Sequence, residues 1–515
     1  LTSARPLVSE RSRTPVRATS LPRRRRLLVS LALVPLLAGC FAEKNGGEGA
    51  RAAGGARLRV ALAFPPAENL SPYGADATLL SRLGVTEGLT ALDANGTATP
   101  ALAASWRRED ARSWRFTLRD AVFQDGTEVT PAAVAASLGR ATRAKPAPAA
   151  LSGVTLTARA DGGHDVRVTT AAPDPILPLR LASPSLAVFS PKAYDRHGRV
   201  DPVGTGTGPF RLTRVTGTTS ATLERHDGYW GGLAHAAGID VRFIADGTAR
   251  ANALRTGEAD IAEAVPVAQA ATLPAGTRRE TATTRTTSLL LNARRGPFKD
   301  PGTRAAARAA VDPAALARGV YEGHADPGAG IYGPAVTWAA GRRVPPAHPE
   351  PAAADGTALT LATYDNRPEL PEVAQVLKQQ LEKAGFRVTL QVREYARLES
   401  DALAGKFDAF VLARNTLVDT GDPVAVLAGD HTCRGNYNIA QLCDPDVDRA
   451  VARAEATEDT GARQQAVMAA EAAILGTDAV VPLVHQRIVT GVATSVRGVL
   501  LDPYERTLVG PGTRR

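Results

Sequence analysis

His431-Thr432-Cys433, with Cys443 ten residues on, is the densest group of metal-capable or nucleophilic side chains in this 515-residue chain. An imidazole and two thiolates at that spacing could hold a soft metal ion. They could equally form a disulfide across residues 434–442, restraining a surface segment, or stay free thiols. The other histidines, His164, His197, His226, His235, His324, His348 and His485, form no H-E-x-x-H or other close ligand pair. No G-x-S-x-G elbow and no Walker loop occur. Residues 204–210, GTGTGPF, are glycine-rich, but Pro209 stands where a dinucleotide fingerprint needs its third glycine. A structural turn is expected there. The chain is therefore not expected to be an enzyme, and no cofactor or resident metal is expected.

The N-terminus carries a different kind of chemistry. Arg23 to Arg26 precede an apolar run from Leu27 to Ala38, which ends at Gly39-Cys40. Twelve apolar residues are too few for a bilayer, which takes roughly 20. A charged start, a short apolar stretch and small residues at its end describe a secretory signal, residues 1–39. Leu37-Ala38-Gly39-Cys40 resembles a bacterial lipobox, so Cys40 is expected to carry a lipid. The leader's eight arginines and single acid account for +7 of the formal net charge of +9, leaving about +2 for residues 40–515. The basic balance belongs to the leader, and no nucleic-acid partner is implied. No later segment has eighteen continuous apolar residues. If Cys40 is lipidated, Cys433 and Cys443 remain as a pair, and outside the cytoplasm a nearby pair is usually a disulfide.

The elements that must position any site follow from periodicity. Residues 40–56 are rich in Gly and Ala and read as a flexible tether. Leu58 to Leu62 alternates like a strand and runs into Phe64-Pro65-Pro66, where the missing amide hydrogens end it. Trp114 to Arg119 also alternates. It is followed by a turn at Gln124-Asp125-Gly126-Thr127 and by Thr130-Pro131, an N-cap and first helical residue. Leu359-Thr360-Leu361 is a strand. Val373, Val376, Leu377 and Leu381 have helical spacing and stop at Gly385. Phe386 to Val392 is a strand, Tyr395 to Ala404 a helix, and Phe407 to Leu412 a strand. This β-α-β-α-β order makes part of the sheet parallel. In open α/β sheets ligands sit beyond the carboxyl ends of strands. Those ends are Pro66 to Tyr73, Tyr364-Asp365-Asn366, Arg414-Asn415 through Asp419 and Asp422, and His485-Gln486 after Val480–Val484.

Six segments in order resemble the family 5 extracellular solute-binding proteins, the dipeptide-, oligopeptide- and nickel-binding components of ABC importers. They are WRFTLRDAVFQDGTEVTPAAVAAS (114–137), GTGPFRL (206–212), HDGYWGG (226–232), ADGTARANALRTGEADIAEAV (245–265), LLLNARRGPFKDPGTRAAARAAVDPAAL (289–316) and DPDVDRAVARAEATEDTGARQQAV (444–467). The resemblance spans nearly everything after residue 58. It implies a two-lobed α/β fold of the periplasmic-binding-protein type (class II, large peptide-binding kind), with a small subdomain on lobe 1. Lobe 1 would comprise residues 57–286, lobe 2 residues 287–488, and residues 489–515 would return to lobe 1. The crossovers would lie near 287–292 and 483–490.

The same resemblance implies capture without chemistry. The lobes would close on a peptide or similar small polar solute and deliver it to an ABC permease and, through it, an ATPase. The protein would be an exported monomer, lipid-anchored to the outer face of the cytoplasmic membrane. In the peptide-binding branch a G-D-P-like segment pairs with the ligand's α-ammonium. Gly421-Asp422-Pro423 matches it, which makes Asp422 the candidate and Asp419 its substitute. Asn415, Arg414 and Tyr364 complete the expected ligand set, with Arg414 able to meet a carboxylate. The Cys433/Cys443 spacing also resembles that branch, in which a disulfide lies nearby. The tryptophan or tyrosine often found before the acid is absent from ARNTLVDT (413–420). Two alternatives stand: a nickel or metal-chelate binder using His431 or an arginine-lined cleft, and a surface enzyme on the same fold.

Overall fold

Two strands are much longer than the rest. Arg278–Leu291 and Val480–Val492 have 14 and 13 residues, about 45 Å each. They pair antiparallel from Arg278 opposite Gly491 to Leu290 opposite Val480. At one end residues 489–492 pair with Ile261–Val265. At the other, residues 285–291 pair with Ala409–Asn415. The register slips between Ala282 and Thr286, so the strand pair is irregular where it changes neighbours. The computed structural model describes residues 55–515, except residues 75, 146 and 152. The expected signal segment, Cys40 and the tether up to residue 54 lie outside the described residues.

The rest of the sheet grows outward from this pair. On one side stand Ile261–Val265, Leu58–Leu62, Gly238–Phe243, Ser220–Arg225 and Phe210–Thr216. On the other stand Ala409–Asn415, Ala358–Tyr364 and Arg387–Arg393. Each side buries its own core. Leu58, Leu80, Phe210 and Ile239 pack in lobe 1, and Leu289, Leu361, Leu377 and Phe410 in lobe 2. The fold is thus two-lobed and α/β, with one sheet running through both lobes. Among the described residues no helix is long and apolar enough to cross a membrane.

Lobe 2 follows the expected β-α-β-α-β order. Helix Glu369–Lys383 buries Leu370, Val373, Leu377 and Leu381 on one face. Gly385, at φ +99°, turns the chain into Arg387–Arg393. The second helix is shorter than its periodicity predicts. A 3₁₀ turn at Tyr395–Arg397 precedes a helix at Glu399–Leu403. One expectation is corrected: Val480–Val484 is not a strand with an end at His485-Gln486. The strand runs on to Val492 because its second half has partners in the other lobe.

A four-stranded antiparallel sheet, Ala103–Arg108, Ser113–Leu118, Asp165–Thr170 and Leu156–Ala160, forms the subdomain. Helix Pro131–Ala141 covers it, with Thr130 accepting from the Ala133 amide as its cap. Phe116, Phe123, Val134 and Val166 fill the space between. The glycine-rich turn joins this subdomain to lobe 1. A side chain on Gly206 or Gly208 would stand 2.2 Å from the Val85 or Gly84 carbonyl oxygen. Into that close approach the Gln124 amide donates to the carbonyls of Val85, Gly208 and Phe210. Two of the recognised segments are therefore two halves of one joint.

The C-terminal return fixes the lobes to each other. Asp502 accepts from the backbone amides of Tyr504, Arg506 and Thr507 and shapes a turn in which Glu505 takes φ +59°. The Glu505 carboxylate accepts from Arg285 on the crossing strand at 3.0 and 3.1 Å. It also accepts from Asn415 of lobe 2 at 3.2 Å and stands 3.5 Å from Arg82 of lobe 1. Desolvation would raise this carboxyl, but Arg285, Arg367 and Arg82 overcome it and lower the pKa to about 2. The lowered group stabilises the fold fully above its unfolded pKa, near 4.5, and loses that contribution as pH falls toward 2. A depression of that size corresponds to about 3 kcal/mol. Glu505→Gln is expected to destabilise the protein by roughly 3–5 kcal/mol at pH 7, because it strands buried arginines. In urea unfolding, the variant should lose less stability than wild type between pH 6 and pH 3. Equal losses would remove Glu505 as the titrating tie.

Candidate functional site

Ala409–Asn415 and Ala358–Tyr364 pair in parallel, so their carboxyl ends open at one edge of lobe 2. Tyr364 and Arg414-Asn415 are the last residues of these strands, and the loops beyond carry Asp365 to Arg367 and Thr416 to Asp422. From lobe 1 the first strand, Leu58–Leu62, delivers Phe64 to the same place. Phe64 is 41% exposed, and the Arg367 guanidinium lies 5.7 Å from its ring centroid. This cation–π contact crosses between the lobes. Among the described residues Arg367 has a long ion pair, 3.9 Å to Glu369. Glu369 is also engaged by the Gln486 side-chain amide at 2.8 Å. The loop after the first strand is closed to a different use: the amides of Ala67, Glu68 and Leu70 all donate to Asp76.

The expected ligand residues divide into two groups. Asp422 is not an open acid. Its side chain is 4% exposed, and Arg463 donates to both oxygens at 2.6 and 3.3 Å. Arg463 is itself held by the carbonyls of Ala454, Glu455 and Thr457. Asn415 is also spent. Its oxygen accepts from the Thr284 hydroxyl and the Leu417 amide, and its nitrogen donates to the Tyr504 carbonyl and Glu505. That uses all four of its hydrogen-bonding positions. Tyr364 is buried, with its hydroxyl on Ala413 and its ring edge-on to Tyr395 at 5.0 Å. The polar groups of Asp422 and Asn415 are thus turned to internal partners.

Asp419 and Arg414 are the two that remain accessible. Asp419 is 32% exposed and lies 3.3 Å from Arg414. Arg414 also donates to Asp430 at 2.9 Å, and its guanidinium stands 4.9 Å from the Tyr437 ring centroid. Burial works against the Arg414 cation, but Asp430 and Asp419 outweigh it and raise its pKa. Tyr437 is fixed by the cysteines. Cys433 and Cys443 are joined in a disulfide, and within the loop Asn438 donates to the Thr432 and Leu442 carbonyls. Tyr437 in turn hydrogen-bonds Tyr395. The three tyrosines 364, 395 and 437 supply the aromatic wall that the residues before Asp422 lack.

The buried histidines carry no positive charge at neutral pH. Burial, with Arg414 alongside, lowers His431 to about 4, and burial lowers His485 to about 4. His485 bonds the Thr286 hydroxyl and the Ala329 amide. Among the described residues no three His, Cys, Asp or Glu side chains converge as a metal site. Sequence reasoning missed Phe64, Arg367 and Arg463. Arg367 had a legible signal, since it follows a strand end by three residues. Phe64 and Arg463 had none, because their partners lie far away in the chain.

The model of the bacterial extracellular solute-binding proteins, family 5 (middle), matches residues 97–438. The glutathione-binding protein GsiB of Escherichia coli O1:K1 is 27% identical over 467 residues, spanning 84% of this chain and 90% of that protein. The GsiB of Salmonella paratyphi A is 26% identical over 462 residues, with the same shares. Among solved structures, NikA of Staphylococcus aureus with Ni(L-His)2 superposes with a TM-score of 0.75 at 20% identity, covering 89% of this chain and all of that one. DppA of Helicobacter pylori with the peptide STSA gives 0.73 at 20% identity, covering 87% and 96%. At these identities the two structures speak for the fold.

The two acids should separate in a stability measurement. Asp422→Asn is expected to cost roughly 3–5 kcal/mol, because it leaves Arg463 buried without its counter-charge. Asp419→Asn should cost under about 1 kcal/mol, its ion pair being partly solvated. Chemical denaturation of both variants checks this; equal losses would place the two acids in equivalent surroundings.

Proposed function

The chain belongs to the bacterial extracellular solute-binding proteins of family 5, and from that premise we propose that it captures a small zwitterionic, peptide-like solute between its lobes for an ABC importer. One observation carries the choice of solute. Arg367 and Asp419 put opposite charges at the carboxyl ends of two adjacent parallel strands. A solute carboxylate would displace the long Glu369 contact and take the Arg367 guanidinium. Its ammonium would share Asp419 with Arg414. Phe64, reaching over from lobe 1, would close against Arg367 and the solute. Glutathione, named for the curated relatives, carries both kinds of charge.

Binding without turnover follows from the family. The lobes close on the solute, and the closed form is the one a permease reads. Residues 57–286 with 489–515 would form one lobe and residues 287–488 the other, moving about the irregular stretch of the two long strands. The exported protein would act as a monomer, held at the outer face of the cytoplasmic membrane by a lipid on Cys40.

Native mass spectrometry of protein purified from its own host tests the solute. Added masses that fragment as peptides support the proposal. A nickel isotope pattern would replace it with the metal-chelate reading, and consumption of solute by pure protein would point to an enzyme. Asp419→Asn and Arg367→Met are each expected to weaken solute binding roughly 30-fold or more in calorimetry, since each strips a charge partner from a desolvated group. Unchanged affinity in both would move the site elsewhere. Cys40→Ser should release the protein from cells; a variant that still pellets with membranes would end the lipid proposal.

A further inference from the structure

A cavity of about 30 Å³ opens in lobe 2 beside Asp419, between the crossing strand, Ala409–Asn415 and helix Pro423–His431. Arg414, Asp430 and Tyr437 line it with polar groups, taken as a rim, and Leu290, Leu412 and Val426 with apolar ones, taken as a floor. Thr286, Ser288 and Thr416 add hydroxyls to its wall. The rim is continuous with the solute site, because Arg414 donates to Asp419 and Asp430 at once. That volume holds about two waters. His431 lines the cavity, is 7% exposed, and has an Nδ1 with no hydrogen-bond partner. An unpaired buried ring nitrogen costs about 1–3 kcal/mol unless something polar occupies the space beside it. The other histidine nearby is not free in this way, since both ring nitrogens of His485 are bonded.

From this geometry we infer that the cavity is a side-chain subsite, admitting a short side chain of the solute that ends in a hydroxyl or thiol facing His431. The inference rests on the solute-binding reading above and adds what the solute must carry. Size sets one limit. A side chain of one or two heavy atoms fits, whereas a leucine or phenylalanine would have to displace Leu290, Leu412 or Val426 from a close-packed floor. Charge sets the other. Arg414 and Asp430 are already paired across the rim, so an incoming carboxylate or ammonium would break that pair. An apolar floor with one unpaired ring nitrogen at its side suits a small neutral group with a hydrogen-bonding tip.

Calorimetry on the purified full chain tests this with tripeptides built on Gly-Gly-Gly. Each position in turn carries Ala, Ser, Cys, Leu, Phe, Asp or Lys. At one position Ser and Cys are expected to bind at least tenfold more tightly than Leu, Phe, Asp and Lys, and severalfold more tightly than Ala. His431→Leu should erase the advantage of Ser and Cys over Ala at that position while the size limit stays. If Leu and Phe match Ser at all three positions, the subsite inference is overturned and the solute-binding reading survives. If none of the tripeptides binds, the peptide-like solute falls and the subsite with it.

Discussion

The position of the Arg414–Asp422 loop depends on Glu505. Its carboxylate gathers Arg285 from the crossing strand, Arg82 from lobe 1 and Asn415 from lobe 2 into one buried cluster. Arg506, the next residue, donates to Leu417 and Val418 in the ligand loop and to Ala182 near the subdomain. Two consecutive side chains near the C-terminus thus set where the Arg414–Asp422 loop stands against lobe 1. A buried carboxylate among arginines is costly to desolvate, and removing either partner costs more than the pair gains. That asymmetry makes the joint hard to take apart.

The contacts that bridge the lobes away from this joint are of another kind. Arg108 of the subdomain meets Glu458 of lobe 2 at 2.7 and 2.8 Å, but Glu458 is largely in water. An exposed ion pair is worth about 0–1 kcal/mol. The Phe64–Arg367 contact is similarly modest, with the ring partly solvated. The joint is therefore buried and charge-paired, whereas the Arg108–Glu458 and Phe64–Arg367 contacts between the lobes are partly solvated.

Within lobe 2, acids and bases are sorted by burial. Arg463 neutralises Asp422 so that the helix Pro423–His431 can start from a buried residue. Arg414 is shared between the buried Asp430 and the accessible Asp419. The disulfide and Asn438 hold Tyr437 over that guanidinium. Each of these side chains therefore has its orientation set by a second residue.

The amino-acid sequence by itself determined whatever rests on local periodicity and turn chemistry. The β-α-β-α-β order over residues 358–415, the Thr130 cap and the turn at Gly385 were all legible, because a 3.6- or 2-residue repeat is a property of neighbours. The six recognised segments placed the family for the same reason, each being a short contiguous motif. That Asp422 is paired internally while Asp419 stays accessible was not legible. They lie three residues apart in one loop, and the difference turns on Arg463, 41 residues from Asp422. Asn415 looked free until Thr284 and Tyr504 filled its hydrogen bonds. His485-Gln486 read as a strand end because the strand is extended only by its pairing with lobe 1. The pairing of Phe64 with Arg367 joins residues some three hundred apart. Only tertiary structure decided these, since the charge or hydrogen bond that saturates a side chain is supplied by whatever the fold brings near it.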